Sequence, residues 1–299
     1  MTRFILIVST IVVSTAAIAA DDNAQALALL RGVVQERLKH DSFHIRYEEH
    51  WPKTGITLER VIDFDKGKIR IEHFPGAGSL GRQGILLEEI VYYVRTHDDN
   101  RIAIMSRQAP ETRGIGFFDP RLLGLSELMD HYVDVRSCLP SETRNDFLVF
   151  RESLDGRSVY VVEYRDGQEN GFAHFRLYIE EPGFRMIRQT IESQKHRIRI
   201  DNDYSEKKFL PFPTTIHISR VGTNGELVTD RYITVKDVQI QKSFPPETFT
   251  LAGLNPPLNA DVVDYRTSRR LGYWDGEKIV DNPVRISAQE SRARIVRKK

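Results

Sequence analysis

The chain has 299 residues, 40% of them hydrophobic, enough for a sizeable core in one large domain or two small ones. Lys and Arg together number 43 against 42 Asp and Glu, and this balance argues against a general binder of polyanions. The only cysteine is Cys138, so no intrachain disulfide can form, and Cys138 reads as a buried or incidental thiol rather than a nucleophile.

The chain opens with Arg3, an apolar run from Phe4 to Val13, and small residues at Ala17-Ile18-Ala19. That order predicts a cleavable secretory signal peptide over residues 1–19 and a periplasmic protein. The run is short for a membrane anchor, and Asp21-Asp22 follows at once. No cysteine stands at the cleavage point, so acylation of a mature N-terminus is not expected. Stability in an oxidising compartment must then come from the core alone.

A folded domain is expected over residues 20–265. Asp22 to Leu38 reads as a helix, with Leu27, Leu30, Val34 and Leu38 on one face. Asp22 with Gln25 resembles a capping box, and Arg37 and Lys39 sit at the negative end of the helix dipole. Short alternating strands follow. Phe43, Ile45 and Tyr47 share one strand face, with His44 and Arg46 on the other. Leu58 to Phe64 and Lys68 to Phe74 flank the turn signal Asp65-Lys66-Gly67. Ile90 to Arg95 pairs with Ile102 to Ser106 around His97-Asp98-Asp99-Asn100.

The alternation then stops. Gly114 to Met129 packs Phe117, Phe118, Leu122, Leu123, Leu125, Leu128 and Met129 into one short segment, and Pro120 can open a short helix there. Two readings stand: an apolar lid across a sheet, or an ordinary core-filling helix in a long loop. Asp130 to Asn145 is a polar connection.

Strands resume at Phe147 to Glu152, Ser158 to Tyr164, Ala173 to Glu180, Phe184 to Glu192, His196 to Tyr204, Thr214 to Arg220 and Tyr232 to Gln241. The total is about ten to twelve, and an antiparallel sheet of that size curls or closes. From residue 266 to 299 the chain is charged and ends in a basic cluster. It reads as a disordered tail, either solvated or touching anionic headgroups, with Tyr273-Trp274 as the piece able to pack back.

Sites of chemistry are scarce. Gly76-Ala77-Gly78-Ser79-Leu80-Gly81 matches the dinucleotide fingerprint. The strand before it alternates, however, as a half-solvated antiparallel strand does, which favours a plain loop. The nine histidines are scattered and lack metal-ligand spacing. Glu48 and Glu49 point to opposite faces and cannot work as a carboxylate pair. No catalytic residue, metal or cofactor is assigned.

The order of elements resembles the periplasmic lipoprotein carriers, the LolA/LolB-like proteins and their outer-membrane lipoprotein-sorting relatives. The resemblance rests on the signal peptide, the helix leading through Arg37-Leu38-Lys39-His40-Asp41-Ser42-Phe43-His44 into hairpins, and the apolar insert. It rests also on the closing stretches Lys208-Phe209-Leu210-Pro211-Phe212-Pro213-Thr214-Thr215-Ile216 and Phe244-Pro245-Pro246-Glu247-Thr248-Phe249, and it spans roughly Asp22 to Val263.

The resemblance implies a mainly β (α+β) fold: a large curled antiparallel sheet forming an unclosed β-barrel, covered by the N-terminal helix and the central helical insert. It further implies non-catalytic binding of acyl chains of a lipid or acylated lipoprotein by a monomer, with envelope membrane proteins as possible partners and no nucleic acid. Phe43, Ile45, Tyr47, Phe117, Phe118, Leu122, Leu123, Leu125 and Met129 are the candidate ligand contacts. The family also ties down its lid with an arginine inside the barrel. Arg46 cannot take that role, because alternation turns it outward, and no other residue is assigned to it. A protein-binding or envelope-sensing module on the same scaffold is the alternative.

Overall fold

The computed structural model describes residues 21–75, 82–87, 89–95, 100–107, 119–126, 140, 144, 146–168, 171–181, 183–205 and 207–283. Residues 21–38 form helix α1. The first six strands are β1 (Ser42–Trp51), β2 (Ile56–Asp65), β3 (Lys68–Pro75), β4 (Arg82–Leu87), β5 (Ile90–Arg95) and β6 (Arg101–Ser106). A 3-10 turn at Pro120–Leu122 separates them from β7 (Leu148–Leu154), β8 (Arg157–Gln168), β9 (Gly171–Glu180), β10 (Arg185–Glu192), β11 (His196–Asp203), β12 (Thr215–Gly222) and β13 (Leu227–Ile240). The chain then adds β14 (Asp261–Asp264), β15 (Arg269–Trp274) and β16 (Ile279–Val280).

All sixteen described strands belong to one sheet, ordered β16-β15-β14-β6-β5-β4-β3-β2-β1-β13-β12-β11-β10-β9-β8-β7. Its two ends do not pair with each other, so the barrel is unclosed, as expected. Hairpins join most neighbours because the turns carry the right residues. At the β2–β3 corner, Lys66 (φ 50°) and Gly67 (φ 88°) both take the left-handed geometry that a tight hairpin needs. β1 closes the two halves of the chain by pairing with β13, Phe43 opposite Ile240.

The sheet must curl. β6 and β8 lie eleven strand spacings apart in the sheet order, about 53 Å if flat. Yet Met105 of β6 and Tyr164 of β8 belong to one buried cluster with helix α1. A helix over residues 21–38 is about 27 Å long and cannot cover a flat sheet of that width. The face that wraps the helix is the inner face. Phe43, Ile45 and Tyr47 of β1 point into it and are fully buried, whereas His44 is half-buried and Arg46 exposed, as alternation requires.

Helix α1 differs from expectation in two ways. Asp22 is already within the helix and is not its cap. The buried face runs through Ala26, Leu29, Leu30, Val33, Val34 and Arg37, while Leu27 and Leu38 are only half-buried. The face is thus turned by about one residue from the Leu27–Leu38 line, and it carries a cation instead of setting Arg37 free at the helix end. Gly32 accounts for part of the turn. A Cβ there would lie 2.3 Å from the ring of Phe184, so the glycine lets that ring dock on the helix.

The chain beyond residue 266 is not disordered up to residue 283. β14 joins β6 in parallel, with Val262 opposite Ile102, and β15 and β16 extend the sheet. Phe249, Leu254, Val262 and Trp274 cover the outer face of β4–β6 at Ile85, Val94, Ile102 and Ile104. Of the expected tail, the Tyr273-Trp274 piece does pack back, through buried Trp274, while the charges around Arg269 and Arg270 hide the rest of the strand in the sequence. Residues 284–299 lie outside the described residues, as do residues 1–20, with the expected signal peptide, Cys138 and the glycine motif at 76–81. The antiparallel pairing of β3 with β4 across that motif, Ile71 opposite Gly84, excludes a βαβ dinucleotide unit.

Candidate ligand-binding site

Among the described residues, helix α1, the segment 119–126 and the rings of Phe209 and Phe212 between β11 and β12 pack on the inner face. The segment folds as it does for local reasons. Asp119 caps the turn by accepting from the Arg121 backbone N–H (3.0 Å), and Pro120 supplies a helical φ without needing a partner for a missing N–H. The Arg121 guanidinium holds the Asp119 carboxylate from Nε and Nη2 (2.9 and 2.7 Å) and lies 4.8 Å from the Phe64 ring. Leu122 and Leu123 are then driven onto the inner face, both buried. The expected helical insert is, over these residues, a 3-10 helix of one turn followed by a hydrogen-bonded turn.

Two side chains from distant parts of the chain tie the segment down. Arg37 of the helix, 3% exposed, donates from Nη2 to the Leu123 carbonyl (3.2 Å) and to the Tyr204 hydroxyl (3.4 Å). Asn202 of β11 donates from Nδ2 to the carbonyls of Gly124 and Met186, both at 2.8 Å. Gly124 has φ +80°, and a Cβ on it would come within 2.5 Å of Asn202 Oδ1, so only glycine fits. Arg37 is thus a buried arginine that holds the segment's backbone, and it was not singled out from the sequence. Its spacing of three and four residues from Val34 and Val33 was the available signal; its place at the helix end concealed it.

Arg37 also lines a cleft of about 420 Å³ between the C-terminal half of α1, the β9–β10 turn at Gly183–Met186, Tyr204 and Leu210–Pro211. Val33, Leu125, Phe184, Met186 and Leu210 supply apolar walls, with Glu36 and Arg185 among the charged lining groups. Burial pulls the Arg37 guanidinium down from its ordinary value, offset in part by Tyr204, and pushes the Tyr204 hydroxyl up, offset by Arg37. Burial likewise lowers His40, which lines the same cleft. The Phe212 ring sits 5.0 Å from the Arg37 guanidinium.

The far end of β1's inner face is polar. Glu49, fully buried, contacts Arg60 Nε at 3.1 Å, and Arg231 and His73 are buried on neighbouring strands of the same face. Burial pushes the Tyr47 hydroxyl up, opposed by Arg60, so it stays protonated and offers no base. The sequence reading treated Tyr47 as the end of an apolar stripe and missed this cluster. Continuing the alternation to Glu49 would have found it. Among the described residues, no group of three or more His, Cys, Asp or Glu side chains is arranged to hold a metal ion.

Six of the nine candidate contacts are described. Phe43, Ile45, Tyr47, Leu122, Leu123 and Leu125 are all buried and share one core, with Phe43 against the rings of Phe64 (5.1 Å) and Phe212 (4.9 Å). Of these, Leu125 lines the cleft. Phe117, Phe118 and Met129 lie outside the described residues.

No protein-family model matches the chain, and no curated protein matches it. Solved structures of similar course do exist. A domain assigned to outer-membrane lipoprotein sorting from Vibrio parahaemolyticus is 12% identical, with a TM-score of 0.44 over 77% of this chain and 99% of that one. A DUF1329 family protein from Desulfovibrio piger ATCC 29098 is 8% identical, with a TM-score of 0.44 over 77% and 98%. LprF from Mycobacterium bovis is 9% identical, with a TM-score of 0.31 over 74% and 96%.

Proposed function

We propose that this protein is an exported, non-catalytic binding protein that holds acyl chains of a lipid or an acylated lipoprotein against the inner face of its sheet, in a carrier or sorting role. The supporting observation is the way the inner face is covered. The segment 119–126 lies on buried Leu122 and Leu123 but is anchored to the rest of the fold by the Arg37 and Asn202 side chains, with an open apolar cleft at its edge. Its described backbone hydrogen bonds are internal: Leu122 to Asp119, Leu123 to Pro120 and Leu125 to Leu122. A cover built this way can lift without breaking the sheet, and an acyl chain entering at Leu125 would then meet Leu122, Leu123, Phe43 and Ile45. Each methylene buried contributes about 0.8 kcal/mol, so a lipid tail can replace the lid leucines at little net cost. No described helix is long and apolar enough to cross a membrane. Periplasmic delivery by a signal peptide over residues 1–19 is part of the proposal.

Native mass spectrometry of the protein purified from periplasm without detergent, followed by organic extraction, tests it. A discrete extra mass that extracts as an acylated species is the expected result. A clean apo mass, unchanged after incubation with lipids and lipopeptides, overturns it. That outcome favours a protein-binding or envelope-sensing module instead. One observation supports this second reading: β7 ends the sheet and presents Leu148 (57% exposed) and Phe150 (39%), as a strand-pairing surface would.

A further inference from the structure

The cleft beside Leu125 has an unbalanced charge. Arg185, on its lining, is neutralised by Glu180, with Nε to Oε2 at 3.1 Å. Glu36, also on the lining, pairs with Lys39. Arg37 has no carboxylate partner among the described residues. Its Nη2 meets two neutral oxygens, and its Nη1 is buried without any hydrogen-bond partner. A guanidinium 3% exposed with a vacant donor and no counter-ion is costly to bury, and a well-placed anion removes most of that cost. The surrounding walls (Val33, Leu125, Met186, Leu210) are apolar, so an anion bearing a hydrocarbon chain fits better than a bare one.

We propose that this cleft takes the carboxylate head of a single-chain fatty acid, held by the Arg37 guanidinium, with the chain running along Val33, Leu125, Met186 and Leu210. One excess positive charge matches a monoanion rather than a dianionic phosphate monoester. A volume of about 420 Å³ lies toward the small end of ligand pockets and suits one chain rather than the two or three of a diacyl or triacyl anchor. The proposal rests on the acyl-binding reading and names the ligand's head.

Isothermal titration of the full chain with palmitate and with hexadecanol tests it. They share the chain and differ in the head. Palmitate is expected to bind roughly ten- to hundredfold more tightly, the worth of a hydrogen bond to a buried charged group. In Arg37→Gln this preference should disappear while hexadecanol binding persists. Equal binding of both ligands to the unmodified protein overturns the head-group assignment and leaves the acyl-binding reading standing. Binding of neither overturns both. Inorganic phosphate serves as the bare-anion control, and tighter binding of phosphate than of palmitate overturns the proposal in favour of a free-anion site. Should Arg37→Gln fail to fold, Leu125→Trp fills the cleft from the other side and should abolish palmitate binding with the protein still folded. Unchanged palmitate affinity in Leu125→Trp places the ligand elsewhere and overturns the proposal.

Discussion

The two faces of the sheet are covered in different ways. On the outer face of β4–β6, the cover is continuous with the sheet: Phe249 and Leu254 stand on short 3-10 turns at 246–249 and 252–254 that lead into β14, and Val262 and Trp274 stand on β14 and β15 themselves. β14 runs beside β6, with Asp261 N–H bonded to Asn100 O (2.8 Å) and Tyr265 N–H to Ile104 O (2.9 Å), and the Trp274 N–H returns to Ala260 O (2.9 Å). On the inner face, segment 119–126 has backbone bonds only within itself among the described residues, and side chains tether it. A backbone ladder opens only when a strand leaves the sheet, which couples that cover to global unfolding. Single side-chain ties can break one at a time, with a small opening free energy of their own. The two covers should therefore differ in how they open, the outer one with the sheet and the inner one by itself.

That contrast can be broken first at Trp274. Trp274→Ala should cost about 3–5 kcal/mol of global stability, because it empties the centre of the outer cover. Urea unfolding should show the loss in a single transition. A separate early transition would mean that the outer cover, too, opens independently.

Gly124→Ala comes next. The added Cβ meets Asn202 Oδ1 at a backbone angle that disfavours side chains, at a cost of about 1–3 kcal/mol. Hydrogen exchange should quicken over 119–126 and stay unchanged over 261–274. Equal acceleration in both covers would erase the distinction between them.

Asn202→Ala should have a similar but smaller effect, about 1–2 kcal/mol. It leaves the Gly124 and Met186 carbonyls without their shared donor. Limited proteolysis should then cut nearer residues 119–126 than in the unmodified protein.

The smallest effect concerns pH. Hydrogen bonds from Arg266 hold the Asp264 carboxyl below the ordinary carboxylate range. A depressed folded value means that its stabilising contribution is present above the unfolded carboxylate value and is lost as pH falls through the folded one. Acid should thus loosen the 264–267 turn of the outer cover slightly. Arg266→Gln should remove that part of the acid sensitivity, read as the pH dependence of Tm.

Much of the scaffold was legible because the signals are local. Alternation along β1 assigned Phe43, Ile45 and Tyr47 to one face and Arg46 to the other, and Lys66-Gly67 marked a hairpin. Each depends only on residues adjacent in the chain, and the order of such signals already implied a large antiparallel sheet that curls. The strand count fell short by β4, which follows the glycine motif, and by β14–β16, which are short, rich in arginine, and stabilised by packing rather than by their own pattern.

Tertiary structure alone decided the site. Arg37 and Leu123 meet across 86 residues of sequence, and Asn202 reaches Gly124 across 78. Spacing places Arg37 in line with Val33 and Val34, but nothing local names what it would bind, and nothing local sets Asn202 apart from an ordinary strand residue. Only the curl of the sheet brings helix, segment 119–126 and β11 to one place, and there the buried guanidinium acquires one carbonyl and one hydroxyl partner, a cleft and a vacant donor. The alternating pattern specified which residues would be inside; the path of the chain specified which of them would face one another.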